Sequence, residues 1–188
     1  MTDVRPVPLS AWQLDRLAAR VRDVPGWPEP GVVFKDITPL LADPGTFSLA
    51  VAALAAAGRD GDGQPRVDAV AGIEARGFIL GAPVAHLLGV GFVPVRKHGK
   101  LPGATHAASY SLEYGEARLE LQRDGIAPGS RVLVVDDVLA TGGTLAATAE
   151  LVSRAGGTVV AAALLIELDA LAGRRRVRGM EVLSLLRG

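Results

Sequence analysis

The chain has 188 residues, of which 49% are hydrophobic and 21% charged, and its twenty basic residues balance twenty acidic ones. This length predicts one domain that buries roughly 70% of its unfolded surface, and the neutral balance argues against a general positive field for nucleic acid or an anionic membrane. The lack of cysteine excludes disulfides and thiolate sites, and no apolar run reaches the ~18 residues of a membrane helix. We therefore expect a cytoplasmic globular protein that handles small molecules.

The predicted elements change character along the chain. Ser10 is expected to cap a first helix that continues to about Val21, and the proline- and glycine-rich segment 24–31 predicts irregular backbone. Thr46 is expected to cap a second helix that Gly58 ends. Apolar strands then alternate with helices, at residues 67–73, 91–95, 131–137 and 158–166. This alternation predicts an α/β fold with an open, mainly parallel sheet covered by helices on both faces.

One long polar segment interrupts the alternation. It follows the second of these strands, and its first half is rich in glycine and basic residues, whereas its second half resembles a short hairpin. Polar loops of this length inside a compact domain are usually functional. We therefore expect this segment, residues 96–122, to be functional.

The most informative stretch is residues 132–152, where four apolar residues precede Asp136 and Asp137. The C-terminal end of a strand is where ligands bind in open α/β sheets. The five residues that follow open a helix and form a glycine-rich turn, which is typical of a phosphate cradle: Ala140, Thr141, Gly142, Gly143 and Thr144. The two carboxylates repel phosphate and suit sugar hydroxyls or a magnesium shell. A buried strand, a solvated acidic turn and an ordinary capped helix would give the same pattern.

Other phosphate-binding motifs fit the sequence poorly. The Walker pattern is absent, and no lysine follows Lys100. No G-x-G-x-x-G motif follows a strand, so a dinucleotide site is unsupported. An apolar strand ending in two aspartates also opens response-regulator receiver domains, but there the phosphorylated aspartate follows about one strand later, whereas here a phosphate-type turn follows.

These residues carry a family resemblance. The strand, Asp136-Asp137 and the Ala-Thr-Gly-Gly-Thr turn resemble the phosphoribosyl-diphosphate signature of type I phosphoribosyltransferases. Four further segments resemble the adenine phosphoribosyltransferases and occur in that family's order: residues 31–39, 72–78, 96–103 and 109–115. The similarity extends from about Val21 to the C-terminus. It implies a single domain over residues 1–188, with a helix and hood over about residues 1–40 and a catalytic loop over about 96–114.

The resemblance implies transfer of a phosphoribosyl group from 5-phosphoribosyl 1-diphosphate to adenine, which gives AMP and diphosphate in purine salvage. Mg²⁺ would be carried by the donor rather than by a metal site of the protein, and a homodimer is expected. His86, in a predicted helix, is expected in the core or at an interface. The donor-binding residues implied are Arg76, Arg96, Lys97, Lys100, Asp136, Asp137, Ala140, Thr141, Gly142, Gly143 and Thr144.

The resemblance also assigns the chemistry at the base. Glu113 is the implied general acid or base, Arg76 assists at the leaving pyrophosphate, and Tyr114 packs over the closed site. Adenine would contact Val33, Phe34, Lys35 and Leu168. Taken alone, Arg76 fits a surface ion pair, the basic loop and Glu113 fit solvent-exposed positions, and Phe34 and Leu168 fit an ordinary core.

Lys35 departs from the family pattern, which often has arginine there. The loss of the planar guanidinium puts a side-chain role in doubt but leaves a backbone role possible. The chain has three lysines among twenty basic residues, as a GC-rich genome favours, and all three lie in family-like segments.

Two other functions compete with adenine transfer. A phosphoribosyltransferase for another base would keep the same phosphate and ribose residues, but the segments around Val33 and Glu113 argue against it. A regulator that senses the donor and binds nucleic acid would require a basic face or an added DNA-binding segment, and neither is evident in the sequence.

Overall fold

The computed structural model describes residues 9–112 and 115–188, apart from the side chains of residues 111–116. The helices are α1 (Ala11–Ala18), α2 (Thr38–Ala42), α3 (Pro44–Ala56), α4 (Arg76–Leu88) and α5 (Gly143–Arg154). The strands are β1 (Arg22–Pro25), β2 (Val33–Asp36), β3 (Ala69–Ile73), β4 (Gly91–Lys97), β5 (Thr105–Leu112), β6 (Gly115–Gln122), β7 (Arg131–Leu139), β8 (Thr158–Glu167) and β9 (Val182–Arg187). The longest helices of these ranges have 13 residues, so none of them could cross a membrane.

The main sheet has seven strands in the order β5-β6-β4-β3-β7-β8-β9. Strands β4, β3, β7, β8 and β9 are parallel, and β6 joins β4 antiparallel. The predicted open, mainly parallel sheet is therefore confirmed. Because β3 and β7 are neighbours with Gly72 opposite Val135, the residues that follow them meet at one edge of the sheet.

The sheet separates two apolar cores, as the alternation of side chains along buried strands requires. Val70 and Leu133 face a core that also contains Leu80 of α4. On the opposite face, Val134 packs in a second core with Leu151 of α5. Helices thus cover both faces of the sheet, which fixes the starts of α4 and α5 relative to the strand ends.

Helices α1 and α3 begin at side-chain caps. Ser10 caps α1 as predicted, since its hydroxyl accepts a hydrogen bond from the Gln13 N–H, but α1 ends at Ala18, before Val21. The predicted cap of α3 at Thr46 is wrong. Asp43 is the cap, and its carboxylate accepts the Thr46 N–H at 2.7 Å. Pro44 starts this helix earlier, because proline suits the first helical position.

Three parts of the sheet structure differ from expectation. Residues 22–25, partly inside the segment expected to be irregular, form β1 and pair antiparallel with β2 to make the hood. The expected hairpin is confirmed, but its first arm already begins at Thr105, so only residues 98–104 separate β4 from β5 within the expected loop. The edge strand β9 was not predicted.

Candidate active site

The site lies at the edge where β3 and β7 end. Asp136 and Asp137 lie near the C-terminal end of β7, and β3 leads through Glu74 into the start of α4 at Arg76. A Cβ atom on Gly77 would lie 2.7 Å from the Val135 carbonyl oxygen and 3.0 Å from Asp136 Oδ1. Glycine therefore lets α4 begin directly against the acidic pair.

The turn that the sequence predicts to bind phosphate lies between β7 and α5. Gly142 has φ +78° and precedes the first residue of α5, and no side chain caps this helix among the described residues. Ser10 and Asp43 by contrast cap α1 and α3. The first N–H groups of α5 are thus left without helical or side-chain acceptors, which is the arrangement that binds phosphate.

The two carboxylates lie side by side, Asp137 buried and Asp136 half-buried. Asp136 Oδ1 accepts the Asp137 N–H at 2.9 Å, and Asp137 is 4% exposed. Burial and the neighbouring charge of Asp137 raise the pKa of Asp136 well above its ordinary value. Burial also raises the pKa of Asp137, although the Arg76 charge opposes this. The pair is therefore a strained arrangement of like charges that a cation or hydrogen-bond donors would relieve.

Arg76 connects the acidic pair to the hood. Its Nε lies 2.8 Å from Asp137 Oδ2 in an ion pair, although Oδ2 receives no hydrogen bond from any described residue. Its Nη1 donates to the Lys35 carbonyl at 3.2 Å, and its Cζ lies 4.6 Å from the centre of the Phe34 ring. The structure thus brings Arg76 and Asp137, which the resemblance assigns to the phosphoribosyl donor, together with Phe34, which it assigns to adenine.

The other residues predicted to contact adenine are Lys35, Val33 and Leu168. Lys35 directs its Nζ to Asp23 at 2.9 Å, into a cavity of about 250 Å³ behind the hood, so only its backbone faces Arg76. This supports a backbone role for Lys35. Val33 is 47% exposed, and Leu168 follows β8 at the same sheet edge as the acidic pair, partly buried against the core. Trp27, which the sequence did not single out, contacts the Phe34 ring at 4.4 Å between centroids.

The predicted basic segment is anchored by a carboxylate that sequence reasoning left without a role. Glu74 Oε2 accepts the Arg96 Nε–H at 3.2 Å and the Lys97 backbone N–H at 2.9 Å. Burial raises the pKa of Glu74, but these hydrogen bonds and charges outweigh it and lower the pKa overall. The Lys97 and Lys100 side chains are exposed. Arg96 is thus held at the strand end, while the two lysines extend into solvent.

A second buried carboxylate holds the start of the 98–104 segment. Glu120 of β6 is 5% exposed and contacts His98 Nδ1 at 2.6 Å, while its other oxygen accepts the Gly99 N–H at 3.0 Å. The sequence carries no signal of this burial, because Glu120 alternates with Leu119 and Leu121 as in a strand with one polar face.

The predicted proton-transfer residue Glu113 and the closing residue Tyr114 lie outside the described residues. Tyr110, three residues earlier in β5, is close enough to Asp136 to sense its charge. Burial and that charge raise the pKa of the Tyr110 hydroxyl. The first arm of the hairpin therefore approaches the acidic pair.

Comparison with known proteins places the chain among close relatives. Residues 42–184 match the phosphoribosyl transferase domain family. The chain is 59% identical over 173 residues to an adenine phosphoribosyltransferase of a Nocardioides species, covering 92% of this chain and 94% of that protein. It is 60% identical over 162 residues to the adenine phosphoribosyltransferase of Streptomyces coelicolor, covering 86% of each.

Solved structures give the same result. The crystal structure of the Rhodothermus marinus adenine phosphoribosyltransferase superposes with a TM-score of 0.89 at 51% identity, covering 95% of this chain and 100% of that one. The Saccharomyces cerevisiae enzyme, complexed with an imino-altritol bisphosphate and adenine, gives 0.88 at 38% identity, covering 94% and 100%. The fold thus agrees with the comparisons, and the chain belongs to the adenine phosphoribosyltransferase family.

Proposed function

We propose that this chain transfers the phosphoribosyl group of 5-phosphoribosyl 1-diphosphate to adenine and releases AMP and diphosphate. The observation that carries the proposal is the meeting of two uncapped helix starts, α4 and α5, at the half-buried Asp136 and the buried Asp137 beneath an aromatic hood. Anionic groups of the donor suit the helix starts, and a sugar suits the carboxylates between them.

The turn before α5 would hold the 5′-phosphate. Its backbone N–H groups, together with the Thr141 and Thr144 hydroxyls, supply donors without a bulky side chain in the way. Asp136 and Asp137 would accept hydrogen bonds from the ribose hydroxyls. This fixes the sugar at both ends, so that its anomeric carbon is presented to the base in one orientation.

The leaving pyrophosphate would lie at the start of α4. Arg76 supplies a guanidinium there, and Arg96, Lys97 and Lys100 add charge from the neighbouring segment. Negative charge grows on the pyrophosphate as the glycosidic bond breaks, so cations fixed in advance stabilise the transition state more than the ground state. The anchoring of Arg96 by Glu74 reduces the reorganisation needed at that moment.

The residues at the acidic pair also fit Mg²⁺. Carboxylate oxygens and phosphate are the ligands this ion prefers, and Asp137 Oδ2 is buried with no hydrogen bond from the described residues. No cluster of three or more metal-ligating side chains occurs in the described ranges, so the donor itself would supply most ligands. The bound ion would neutralise the charge of the pyrophosphate.

Adenine would stack on Phe34 of the hood, with Leu168 on the opposite side and backbone groups of Val33 and Lys35 at its edge. Glu113 would exchange a proton with an imidazole nitrogen of the base, and Tyr114 would pack over the closed site. The raised pKa that a general acid or base needs near neutral pH would follow from the removal of water when the segment closes.

A homodimer is the assembly we propose. Ile79 and Leu87 of α4 are 45% and 46% exposed, and His86 lies on the same open face rather than in the core. Ile79 and Leu87 lie about two helical turns apart, so exposed apolar side chains occur near both ends of α4. Light scattering should give twice the mass of the chain, and Leu87→Glu should shift it to the monomer.

A cytoplasmic location stays a prediction, which fractionation of source cells would test.

A base panel tests the proposed function. The purified protein is incubated with Mg²⁺, 5-phosphoribosyl 1-diphosphate and an equimolar mixture of adenine, hypoxanthine, guanine, xanthine and uracil, and the nucleotides are identified by mass. AMP alone is expected, and its loss in Asp137→Asn assigns the activity to this chain. Another nucleotide would reject the adenine site, and none at all from protein that binds the donor would favour the regulator.

A further inference from the structure

Arg76 covers the hood ring on which adenine would stack. Its guanidinium carbon lies 4.6 Å from the centre of Phe34, and its Nη1 donates to the Lys35 carbonyl of the same strand at 3.2 Å. Since Arg76 begins α4 beside the acidic pair, the covered face of the ring is the one directed toward the ribose site. A purine stacks at a similar distance and cannot share that face with the guanidinium.

The same side chain also reaches the donor site. Arg76 Nε lies 2.8 Å from Asp137 Oδ2, and its charge opposes the raised pKa values of both aspartates. One guanidinium therefore touches the hood ring, a hood carbonyl and a donor-site carboxylate. A pyrophosphate bound at the start of α4 offers it a stronger, doubly hydrogen-bonded partner than the ring does.

We propose that Arg76 couples the two substrate sites. Without donor, its guanidinium occupies the adenine face of Phe34, and the pyrophosphate group of the donor uncovers the ring by drawing the guanidinium away. This inference rests on the proposed function, because it requires adenine to bind at Phe34. It gives Arg76 a role in admitting the base, in addition to its role at the leaving group.

The coupling has a defined thermodynamic form. Without donor, the apparent affinity for adenine is the affinity of the uncovered site multiplied by the fraction of molecules in which the Phe34 ring is uncovered. By linkage, pyrophosphate and adenine must tighten each other by the same factor. A cation–π contact at a partly exposed site and one weak hydrogen bond predict a factor of about three to ten.

The test uses calorimetric titration of adenine into the wild type and Arg76→Gln, each with and without Mg²⁺ and pyrophosphate. For the wild type, pyrophosphate should tighten adenine about three- to tenfold. Arg76→Gln should bind adenine tightly without pyrophosphate and show little further gain. Arg22→Gln is the matched control, since Arg22 pairs with Asp36 in the same hood, and it should behave as the wild type.

Two results would overturn the inference. One is an Arg76→Gln variant, folded by its thermal transition, that binds adenine no more tightly than the wild type without pyrophosphate. The other needs no variant, and is a wild-type adenine affinity that pyrophosphate leaves unchanged. If either occurs in protein that makes AMP, only the coupling fails. If the wild type neither makes AMP nor binds adenine, the proposed function fails and the coupling with it.

Discussion

The Gly142→Ala substitution is the sharpest test of the proposal that residues 140–144 hold the 5′-phosphate of the donor. Gly142 has φ +78°, a conformation that costs an alanine about 1 kcal/mol. An added Cβ would also lie 2.5 Å from the Gly173 carbonyl oxygen and 3.2 Å from the Arg176 Cβ. Backbone atoms cannot rotate away as a side chain can, so the turn itself must move.

The size of that movement sets the expected effect. Ordinary contact begins at 3.4 Å, so the methyl group and the Gly173 carbonyl must separate by close to 1 Å. A misplacement of this size at a substrate-positioning group costs about 100-fold in rate. We therefore expect kcat/KM for the donor to fall about 100-fold, while the dissociation constant for adenine changes little.

Gly129→Ala provides the matched control. Gly129 has φ +83° but no atom within 4 Å of its added Cβ, and it lies in the turn before β7, at the opposite end of the strand from the site. It should lose about 1 kcal/mol of stability through the same backbone strain and keep its kinetics. Steady-state assays with varied donor, with thermal unfolding of both variants, make the comparison. If the two variants had equal kcat/KM values for the donor, the proposal that residues 140–144 hold its 5′-phosphate would be refuted.

Three further predictions concern single carboxylates and one hydroxyl. The fold raises the pKa of Asp136, so between the ordinary and the folded pKa the folded protein holds a proton that the unfolded chain has released. The free energy of unfolding therefore falls as pH rises from the ordinary to the folded pKa. Asp136→Asn removes this loss, so it should add about 1 kcal/mol of stability at pH 8, less at pH 5, and should weaken donor binding. A loss of stability at pH 8 in chemical denaturation would contradict this. Glu113→Gln should lower kcat more than it raises either KM, whereas Thr144→Ala should mainly raise KM for the donor, and the reverse pattern would reject both roles. Glu167→Gln should cost about 1.5 kcal/mol, because it replaces charge-assisted hydrogen bonds from the half-exposed Arg174, 2.6 Å away, by neutral ones, whereas Glu150→Gln, at an exposed pair, should cost about 0.5 kcal/mol or less. The pKa of Glu167 is lowered in the fold, so its contribution to stability is present above its ordinary pKa and is lost as the pH falls through the folded pKa. A stability difference between the wild type and Glu167→Gln that stays the same from pH 7 to pH 3 would contradict this.

The central strands and the phosphate turn could be predicted because their signals are local. Residues 132–135 are apolar without interruption, which is the mark of a strand buried on both faces, and the glycines at 142 and 143 lie where a strand must turn into a helix. The cap of α1 at Ser10 is local for the same reason. The error at Thr46 shows the limit, since Pro44 and Asp43 gave a competing signal two and three residues earlier.

Contacts between distant segments could not be predicted. Arg76 and Lys35 are 41 residues apart, and nothing in either segment indicates that the guanidinium lies over Phe34. The hood pairing of β1 with β2 depends on a strand that ends in proline, and β9 is stabilised by its neighbour β8 rather than by a strong pattern of its own. The roles of Glu74 and Glu120 likewise follow from the backbone N–H groups that the fold brings to them.

The most direct test of the account is a crystal structure of the protein with AMP, Mg²⁺ and pyrophosphate. The 5′-phosphate should contact the backbone of residues 140–144, and the ribose hydroxyls should donate hydrogen bonds to Asp136 and Asp137. Adenine should stack on Phe34, and the guanidinium of Arg76 should have moved from that ring to the pyrophosphate. A purine bound away from the hood, or a phosphate bound away from the start of α5, would contradict the assignment of this site.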